Sequence, residues 1–258
     1  MSLRFSANLS MLYPEHAFLD RFAAAAKDGF TGVEYVGPYD YPKHQIAQLL
    51  RDFSLRQVLF NMPAGDWAAG ERGLAAVPGR EHEFRGSVDL AIEYAVALEC
   101  PQVHCMAGIM PVGADLAQCE AVLVRNLAYA APLFAEQGVR LLVEPINPVD
   151  MPGYVLTGIE QGERILHAVG SDNLFLQFDF YHRAMQGGEL IDSFARLQER
   201  VAHVQVADVP GRREPGTGTV DYPAVFSMLE RLDYDGWVGA EYRPAAGTSD
   251  GLGWMRDL

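Results

Sequence analysis

The stretch from Arg140 to Asp179 reads RLLVEPINPVDMPGYVLTGIEQGERILHAVGSDNLFLQFD and predicts a strand, a helix and a second strand. Its two ends are the short apolar runs LLVE and LFLQFD, and the segment from Glu160 to Val169 has the length and periodicity of a helix. Two strands joined by a helical crossover lie parallel in one sheet, so this stretch indicates a βαβ unit. The same alternation continues in both directions along the chain.

Short apolar runs and helical segments alternate from one end of the chain to the other. We predict strands at Arg4 to Ala7, Gly32 to Tyr35, Gln57 to Phe60, Val103 to Met106, Arg140 to Glu144, Leu174 to Asp179, Ala202 to Val206 and Val238 to Glu241. We predict helices at Ala17 to Lys27, Gln45 to Phe53, His82 to Leu98, Leu116 to Ala135, Glu160 to Val169, Leu190 to Leu197 and Pro223 to Leu232. Eight parallel strands joined by crossovers predict an α/β fold, a (β/α)₈ TIM barrel forming a single domain over residues 1–258. An open doubly wound sheet is the alternative, but the chain has no strand, Gly-x-Gly-x-x-Gly, helix fingerprint.

Charge and cysteine content exclude several classes of protein. The formal net charge of −14 would repel a phosphate backbone, and no basic stripe offsets it, so we expect no nucleic-acid partner. No stretch approaches the ~18 consecutive apolar residues of a membrane span, so we expect no membrane partner either. The three cysteines lack metal-ligand spacing, and the N-terminus lacks a long apolar run, which favours a cytoplasmic protein.

Side chains with oxygen acceptors lie at or next to the ends of the last four predicted strands. Glu144 closes LLVE, Asp179 closes LFLQFD, Gln205 lies in HVQVAD and Glu241 follows WVGA. Successive residues of this set are 35, 26 and 36 positions apart, each close to one βα unit of roughly 30 residues. Because the carboxyl ends of barrel strands meet at one face, we expect the four side chains to occupy equivalent positions there.

Three carboxylates brought together would repel each other unless they are protonated or bind a cation. We therefore predict a divalent metal site formed by the three acids and the amide of Gln205. All-oxygen ligation favours Mg²⁺ or Mn²⁺, and Zn²⁺ remains compatible. The alternative is that each acid pairs with a nearby arginine or caps a helix, and four acceptors in register count against it.

Further polar residues near the strand ends are candidates for binding a substrate. His104 lies in the fourth strand and His182 follows the sixth by three residues, where each could also support a metal ligand or be structural. Glu34 ends the second strand, with a rim ion pair as the simpler interpretation. Arg243 lies two residues beyond the eighth strand and could bind a carboxylate through two hydrogen bonds.

Two loops rich in Gly and Pro, Asn61 to Gly79 and Asp208 to Asp221, are long for barrel connections and are expected to cover the site. Arg72 lies on the first loop, in AAGERG, and Arg212 and Arg213 lie on the second, in PGRREPGTG. Each is a candidate for a carboxylate contact, although loop arginines are more often solvated or structural.

Motifs spread over nearly the whole chain form a specific combination. They are SANLSMLYPE, VEYVGPYDYP, FNMPAGDWAAGERG, PGREHEF, VHCMAG, VEPIN around Glu144, QFDFYH around Asp179, HVQVADVPGRREPGTG around Gln205, GAEYRP around Glu241, and GTSDGLGW. This combination resembles the hydroxypyruvate isomerases, a group of xylose-isomerase-like barrels. Arg213 stands where that group usually has His, and Thr219 stands where it has Glu, so we expect the contacts of this loop to differ.

The resemblance implies an aldose/ketose isomerase that interconverts hydroxypyruvate and 2-hydroxy-3-oxopropanoate (tartronate semialdehyde). It implies that Glu144 and Glu241 are the catalytic proton donor and acceptor, and that Glu144, Asp179, Gln205 and Glu241 bind the metal. We expect metal-assisted proton transfer through an enediolate, with a hydride shift as the competing route. The expected partner is a small anionic sugar acid, and a homo-oligomer is compatible with the sequence.

Three alternatives remain open at this point. A 2-oxo-tetronate isomerase or a ketose 3-epimerase would use the same scaffold, and an epimerase also uses two strand-end glutamates. A catalytically silent barrel that binds a sugar acid would keep the acids for structural reasons, since fold alone does not prove activity. Endonuclease activity fits less well, because the chain lacks a histidine-rich multi-zinc pattern.

Overall fold

A computed structural model describes residues 3–255, and its eight parallel strands close into a barrel in the order β1 to β8. The strands are β1 Arg4–Asn8, β2 Gly32–Tyr35, β3 Arg56–Asn61, β4 Gln102–His104, β5 Arg140–Val143, β6 Leu174–Asp179, β7 Val201–Val206 and β8 Trp237–Ala240. Neighbouring strands along the chain are neighbours in the sheet, which is the (β/α)₈ topology that the sequence predicts. The predicted fold class is therefore confirmed.

The helices alternate with the strands. They are α1 Arg21–Lys27, α2 Lys43–Asp52, α3 Glu81–Ala97, α4 Leu116–Glu136, α5 Ile159–Val169, α6 Phe180–Met185, α7 Leu190–Leu197 and α8 Tyr222–Arg231, with 3₁₀ turns at Phe18–Asp20, Gln198–Arg200 and Thr248–Met255. Helix α6 is absent from the sequence prediction because six residues carry too little periodicity to signal it. It begins directly after β6, where the Asp179 side chain accepts a hydrogen bond from the Tyr181 amide.

Single residues with capping side chains or unusual backbone conformations set the ends of α4, α8 and α5. Asp115 caps α4 by accepting from the Gln118 amide, and Asp221 caps α8 in the same way. Gly170 ends α5 in a left-handed conformation with φ of 64°, which a residue with a side chain rarely adopts. None of the helices in the described part of the chain combines the length and apolar character that a bilayer crossing requires.

The chain divides into two compact units. The first comprises Met1–Val36, His44–Val58 and Phe178–Leu258, and contains β1, β2, β7 and β8. In it, Ser6 is paired in register with Gly239 on β8, and Gly239 is paired with Gln205 on β7. Strand β7 is buried along its whole length, as expected for a parallel strand covered on both faces.

The second unit comprises Gly37–Lys43 and Leu59–Gln177, and contains β4 and β5 with α3, α4 and α5. Its strands pair in register, with Val103 opposite Leu141 and Val143 opposite Leu176. The three cysteines, Cys100, Cys105 and Cys119, are buried here and form no disulfide bond. The prediction of a single domain over residues 1–258 stays a prediction.

Candidate active site

The predicted strand-end residues lie at the carboxyl ends of their strands. Glu144 directly follows β5, Asp179 is the last residue of β6, Gln205 is the penultimate residue of β7, and Glu241 directly follows β8. Each of the four is buried, with between 2% and 9% of its surface exposed. Buried carboxylates require compensation by a cation or by hydrogen bonds, so the surroundings of each acid indicate what it can do.

Arg212 joins two of the predicted acids. Its Nη2 lies 3.3 Å from Asp179 Oδ2 and 3.1 Å from Glu241 Oε2. The guanidinium also lies 5.0 Å from the centre of the Tyr181 ring, and the side chain is 12% exposed. One arginine therefore compensates two buried carboxyl groups, which leaves the cluster short of positive charge.

With one positive charge for two buried acids, the pKa values of Glu241 and Asp179 both rise. Burial raises the pKa of Glu241 to about 8, while the Arg212 charge acts in the opposite direction. Burial also raises the pKa of Asp179, with Arg212 and the Tyr181 amide opposing it. At neutral pH, without another cation, Glu241 therefore holds a proton that it can donate.

The loop that carries Arg212 is held by a buried carboxylate. Asp208 is fully buried and accepts hydrogen bonds from the backbone amides of Val209, Gly216, Gly218 and Val220 at 2.8 to 3.0 Å. Arg212 itself has a φ of 56°, in the left-handed region, and its carbonyl accepts a hydrogen bond from the Arg243 amide at 2.7 Å. The loop therefore presents the guanidinium from a fixed backbone.

Glu34, at the end of β2, is fully buried and accepts four side-chain hydrogen bonds. The donors are Ser6 Oγ at 2.7 Å, His203 Nε2 at 2.9 Å, Gln205 Nε2 at 2.7 Å and Asn8 Nδ2 at 3.3 Å. Burial alone would raise the pKa of Glu34, but the charge and hydrogen bond of His203, with those from Gln205 and Ser6, lower it below its usual value. Glu34 is thus an ionised acceptor inside the barrel.

Glu144 lies beside His104 on the neighbouring strand. Its Oε2 is 3.7 Å from His104 Nδ1, which is also 3.1 Å from Asn61 Oδ1. Tyr154 is buried nearby, and its hydroxyl accepts a hydrogen bond from the Ala107 amide at 2.7 Å. His104 therefore neighbours Glu144, and its role in substrate binding stays a prediction.

Three side chains form a buried group with the ligand atoms of a metal site. The candidate ligand atoms of Glu144, Asp179 and His182 all lie within 4.8 Å of one another. Two carboxylates and an imidazole suit a divalent ion, and Glu241 of the predicted ligand set lies outside this group. The donor set fits a metal, so His182, which we predicted as a substrate contact, is also a candidate ligand. Its Nε2 lies 3.6 Å from Asp179 Oδ2.

The other predicted cations, Arg243 and Arg72, contact solvent or their own loop rather than the strand-end acids. The Arg243 side chain is exposed. Arg72 lies over the Trp67 ring at 3.8 Å and donates to the backbone oxygens of Trp67 and Glu71. In the sequence, Arg212 is only one of three loop arginines, because an irregular loop has no periodicity that would show where its side chains point.

The two residues that depart from the usual loop motif both donate hydrogen bonds to backbone carbonyls. Arg213 donates to the carbonyl oxygens of Arg243 and Pro244 at 3.1 and 3.0 Å. Thr219 donates through its hydroxyl to the Val209 carbonyl at 3.1 Å. Both residues therefore hold the loop conformation through backbone contacts.

Comparison with known proteins places this barrel in a family. A family model described as a xylose isomerase-like TIM barrel matches residues 22–258. The chain belongs to the xylose isomerase-like TIM barrel family. That family and the buried group of Glu144, Asp179 and His182 together indicate a metal-binding enzyme.

Similar curated proteins indicate which kind of enzyme this chain is within the family. A 2-oxo-tetronate isomerase of Cupriavidus necator is 51% identical and covers 98% of this chain and 97% of its own length. A hydroxypyruvate isomerase of Escherichia coli is 48% identical over 98% of each chain. A crystal structure titled AP endonuclease, family 2, from Brucella melitensis has a TM-score of 0.96 at 45% identity, with 99% of each chain covered. The predicted family is confirmed, and the chain is an isomerase of the sugar-acid group.

Proposed function

We propose that this isomerase interconverts hydroxypyruvate and 2-hydroxy-3-oxopropanoate. The observation that supports this substrate class best is the position of Arg212, a cation held by a structured loop against two buried acids at the barrel's strand ends. Besides the Nη2 that contacts both acids, the guanidinium carries other N–H groups, which can donate to the carboxylate of a small sugar acid.

The reaction removes a proton from carbon 3 of hydroxypyruvate, forms an enediolate and returns a proton to carbon 2, while the proton of the carbon 3 hydroxyl moves to the carbon 2 oxygen and carbon 3 becomes the aldehyde. We assign Glu144 as the base that takes the first proton and Glu241 as the acid that delivers the second. Glu241 directly follows β8 and is buried, as Glu144 directly follows β5, so both glutamates stand at strand ends where substrate binds in barrels of this type. Hydrogen is neither gained nor lost overall, so the reaction needs no redox cofactor.

We propose a divalent metal, Mg²⁺ or Mn²⁺, held by Glu144, Asp179, His182, Gln205 and Glu241, with Zn²⁺ compatible with the same donors. When bound, such an ion supplies Lewis acidity toward the oxygens that gain negative charge. The protein's own contribution is to orient the two glutamates, to exclude water by burying them, and to hold the substrate carboxylate through Arg212.

A second candidate substrate is a 2-oxo-tetronate, because the 51% identical relative carries that name. Assaying the purified protein with hydroxypyruvate, a 2-oxo-tetronate and a neutral ketose separates the alternatives. Our proposal predicts the highest kcat/KM for hydroxypyruvate. Preference for the tetronate would reassign the substrate within the sugar acids, preference for the ketose would favour a 3-epimerase, and no turnover would favour a silent binding barrel.

Replacing Arg212 by Gln is expected to lower kcat/KM for the acid substrate by about tenfold to a hundredfold, since a charge-assisted hydrogen bond contributes roughly 1.5 to 3 kcal/mol. Activity on an uncharged analogue should fall much less. Arg243→Gln is the matched comparison, because that side chain is exposed and changes charge equally. A larger loss in the Arg243 variant would transfer carboxylate binding to Arg243, and equal losses on acid and neutral compounds would indicate structural damage.

The remaining proposals concern the cellular location, domain organisation, partners and assembly of the enzyme. We propose that it works in the cytoplasm, which the three buried cysteines support because none of them forms a disulfide bond. We propose one domain over residues 1–258, no nucleic-acid or membrane partner, and a homo-oligomer as an assembly open to test by light scattering.

A further inference from the structure

A buried segment, residues 154–156, crosses the chain just beyond the ends of β4 and β5. The Val155 amide donates to the Gly108 carbonyl at 3.0 Å, and the Leu156 carbonyl accepts a hydrogen bond from the Ile146 amide at 3.0 Å. The three residues of the segment are at most 4% exposed. Backbone hydrogen bonds therefore fix this segment at the carboxyl ends of two neighbouring strands, the face where substrate binds in barrels of this type.

The first residue of the segment, Tyr154, holds its hydroxyl close to the strand end that carries Glu144. The Cys105 amide donates to the Leu142 carbonyl at 2.7 Å, so hydrogen bonding between the two chains extends past the last residue of β4. Ala107 lies two residues beyond Cys105, and Glu144 lies two residues beyond Leu142. The Tyr154 hydroxyl accepts a hydrogen bond from the Ala107 amide at 2.7 Å, which places it beside the end of β5.

The hydrogen of this hydroxyl is not used by the protein. Within residues 3–255, no acceptor receives a hydrogen bond from the Tyr154 hydroxyl, although the side chain is buried. Burial raises the pKa of Tyr154 well above its usual value, the Ala107 amide lowers it and the Glu144 carboxyl group raises it, so the hydroxyl keeps its proton. Buried hydroxyl groups usually have a partner, and a donor left over at the substrate face is therefore available to a bound ligand.

A second buried tyrosine makes the same contact for a purely structural purpose. The Tyr222 hydroxyl accepts a hydrogen bond from the Ala207 amide at 3.0 Å, and it also donates to the Ala207 carbonyl at 2.6 Å. Ala207 directly follows β7, so this contact too lies at a strand end. Tyr222 uses both its donor and its acceptor on the backbone, whereas Tyr154 uses only its acceptor.

We infer that Tyr154 is a catalytic residue whose hydroxyl donates a hydrogen bond to the substrate oxygen that gains negative charge as the enediolate forms. This inference rests on the proposed function, to which it adds a donor from the protein beside Glu144. Tyr154 keeps its proton throughout, so it stabilises charge and takes no part in the proton transfer. The hydrogen bond from the Ala107 amide polarises the hydroxyl and fixes its position before the substrate binds, as a donor to a developing oxyanion requires.

The test compares kcat and KM for hydroxypyruvate in the wild type, Tyr154→Phe and Tyr222→Phe. Tyr154→Phe should lower kcat by about tenfold to a hundredfold, because one fixed donor to the oxyanion is lost while the proposed ion and both glutamates remain. KM should change by less than about threefold, because the hydrogen bond strengthens mainly in the transition state.

Tyr222→Phe is the matched control, because it removes the same hydroxyl from a similar contact with an alanine at a strand end. The loss of its two backbone hydrogen bonds should lower Tm by at least about 2 °C. Its kcat should nevertheless stay within about threefold of the wild-type value, since that hydroxyl has no donor to offer a substrate.

Hydroxypyruvate with both carbon 3 hydrogens replaced by deuterium shows which step Tyr154→Phe slows. Weaker stabilisation of the enediolate slows the removal of the proton, so the primary isotope effect on kcat should be equal to or larger than that of the wild type. Damage to loop motion or product release would slow a step that breaks no bond to this hydrogen, and the isotope effect would fall toward one.

The outcomes separate this inference from the proposed function. A lower kcat in Tyr154→Phe with an undiminished isotope effect, together with near-normal kcat in Tyr222→Phe, is the expected result. Wild-type kcat in Tyr154→Phe would overturn the inference and leave the proposed function in place. A reduced isotope effect, or an equal loss of kcat in Tyr222→Phe, would also overturn it. If the wild type does not turn over hydroxypyruvate, the proposed function fails before any variant is compared, and this inference fails with it.

Discussion

Replacing Glu241 or Glu144 by Gln is expected to lower turnover of the sugar acid by about 10²- to 10⁴-fold, the usual contribution of general acid/base catalysis. The substitution keeps the size of the side chain and one oxygen, but it removes the group that carries the proton. Both residues directly follow their strands and are buried, at 9% and 5% exposure, so little water can replace the lost carboxyl group. Steady-state kinetics on each purified variant measure the effect.

The matched control for these variants is Glu214→Gln, a buried glutamate that contacts the Ala245 amide. It should keep near-normal turnover, which would show that a Glu→Gln change in this fold is not damaging in itself. Because binding of the substrate carboxylate is assigned to Arg212, KM should change less than kcat in both catalytic variants. Near-normal kcat in either variant would remove that glutamate from the proposed pair.

Removing the metal is the second change with a large expected effect. Dialysis against a chelator should abolish most activity, and Asp179→Asn should weaken Mn²⁺ affinity by at least about tenfold because a charged ligand is lost. Asn at this position can still cap α6, since its side-chain oxygen can accept from the Tyr181 amide as Asp179 does at 2.8 Å. The variant should therefore remain folded, which thermal unfolding monitored by circular dichroism would verify.

Activity measurements with and without added Mn²⁺ complete this test. The chelated wild type should recover when Mn²⁺ or Mg²⁺ is returned, and the Asp179 variant should need a higher concentration of metal to reach its own maximum. Full activity in protein shown by elemental analysis to be free of metal would contradict the proposed role of the ion, although it would leave the acid/base pair in place.

The barrel and the strand-end acids could be predicted from sequence because both depend on regular spacing. Strand-sized apolar runs recur at intervals of one βα unit, and Glu144, Asp179 and Glu241 each stand where such a run ends. In a closed parallel barrel, that position alone determines the face on which a side chain lies. The predicted strand ends are also close to the observed ones. We predicted Glu144 and Glu241 as the last residues of their strands, and each lies one residue beyond the observed end.

The parts that escaped prediction depend on irregular backbone or on contacts between distant strands. Arg212 reaches Asp179 and Glu241 from a loop whose path is set by Asp208 and its backbone hydrogen bonds, and no periodic pattern encodes that path. The surroundings of Glu34 depend on the register that brings Gly239 beside Gln205, a pairing between residues 34 positions apart in the chain. The sequence identifies Arg212, Glu34 and Gln205 as candidates, but it does not show which side chains each of them contacts.

The central claim, that the chain isomerises a sugar acid by proton transfer, is tested most directly by following hydroxypyruvate with the enzyme in D₂O by proton NMR. Transfer between Glu144 and Glu241 passes the proton through groups that exchange with solvent, so we predict 2-hydroxy-3-oxopropanoate with deuterium at carbon 2 and one original hydrogen retained at carbon 3. Product that carries only the original hydrogen at carbon 2 would contradict the enediolate route and indicate a hydride shift, and absence of the product would contradict the proposed activity itself.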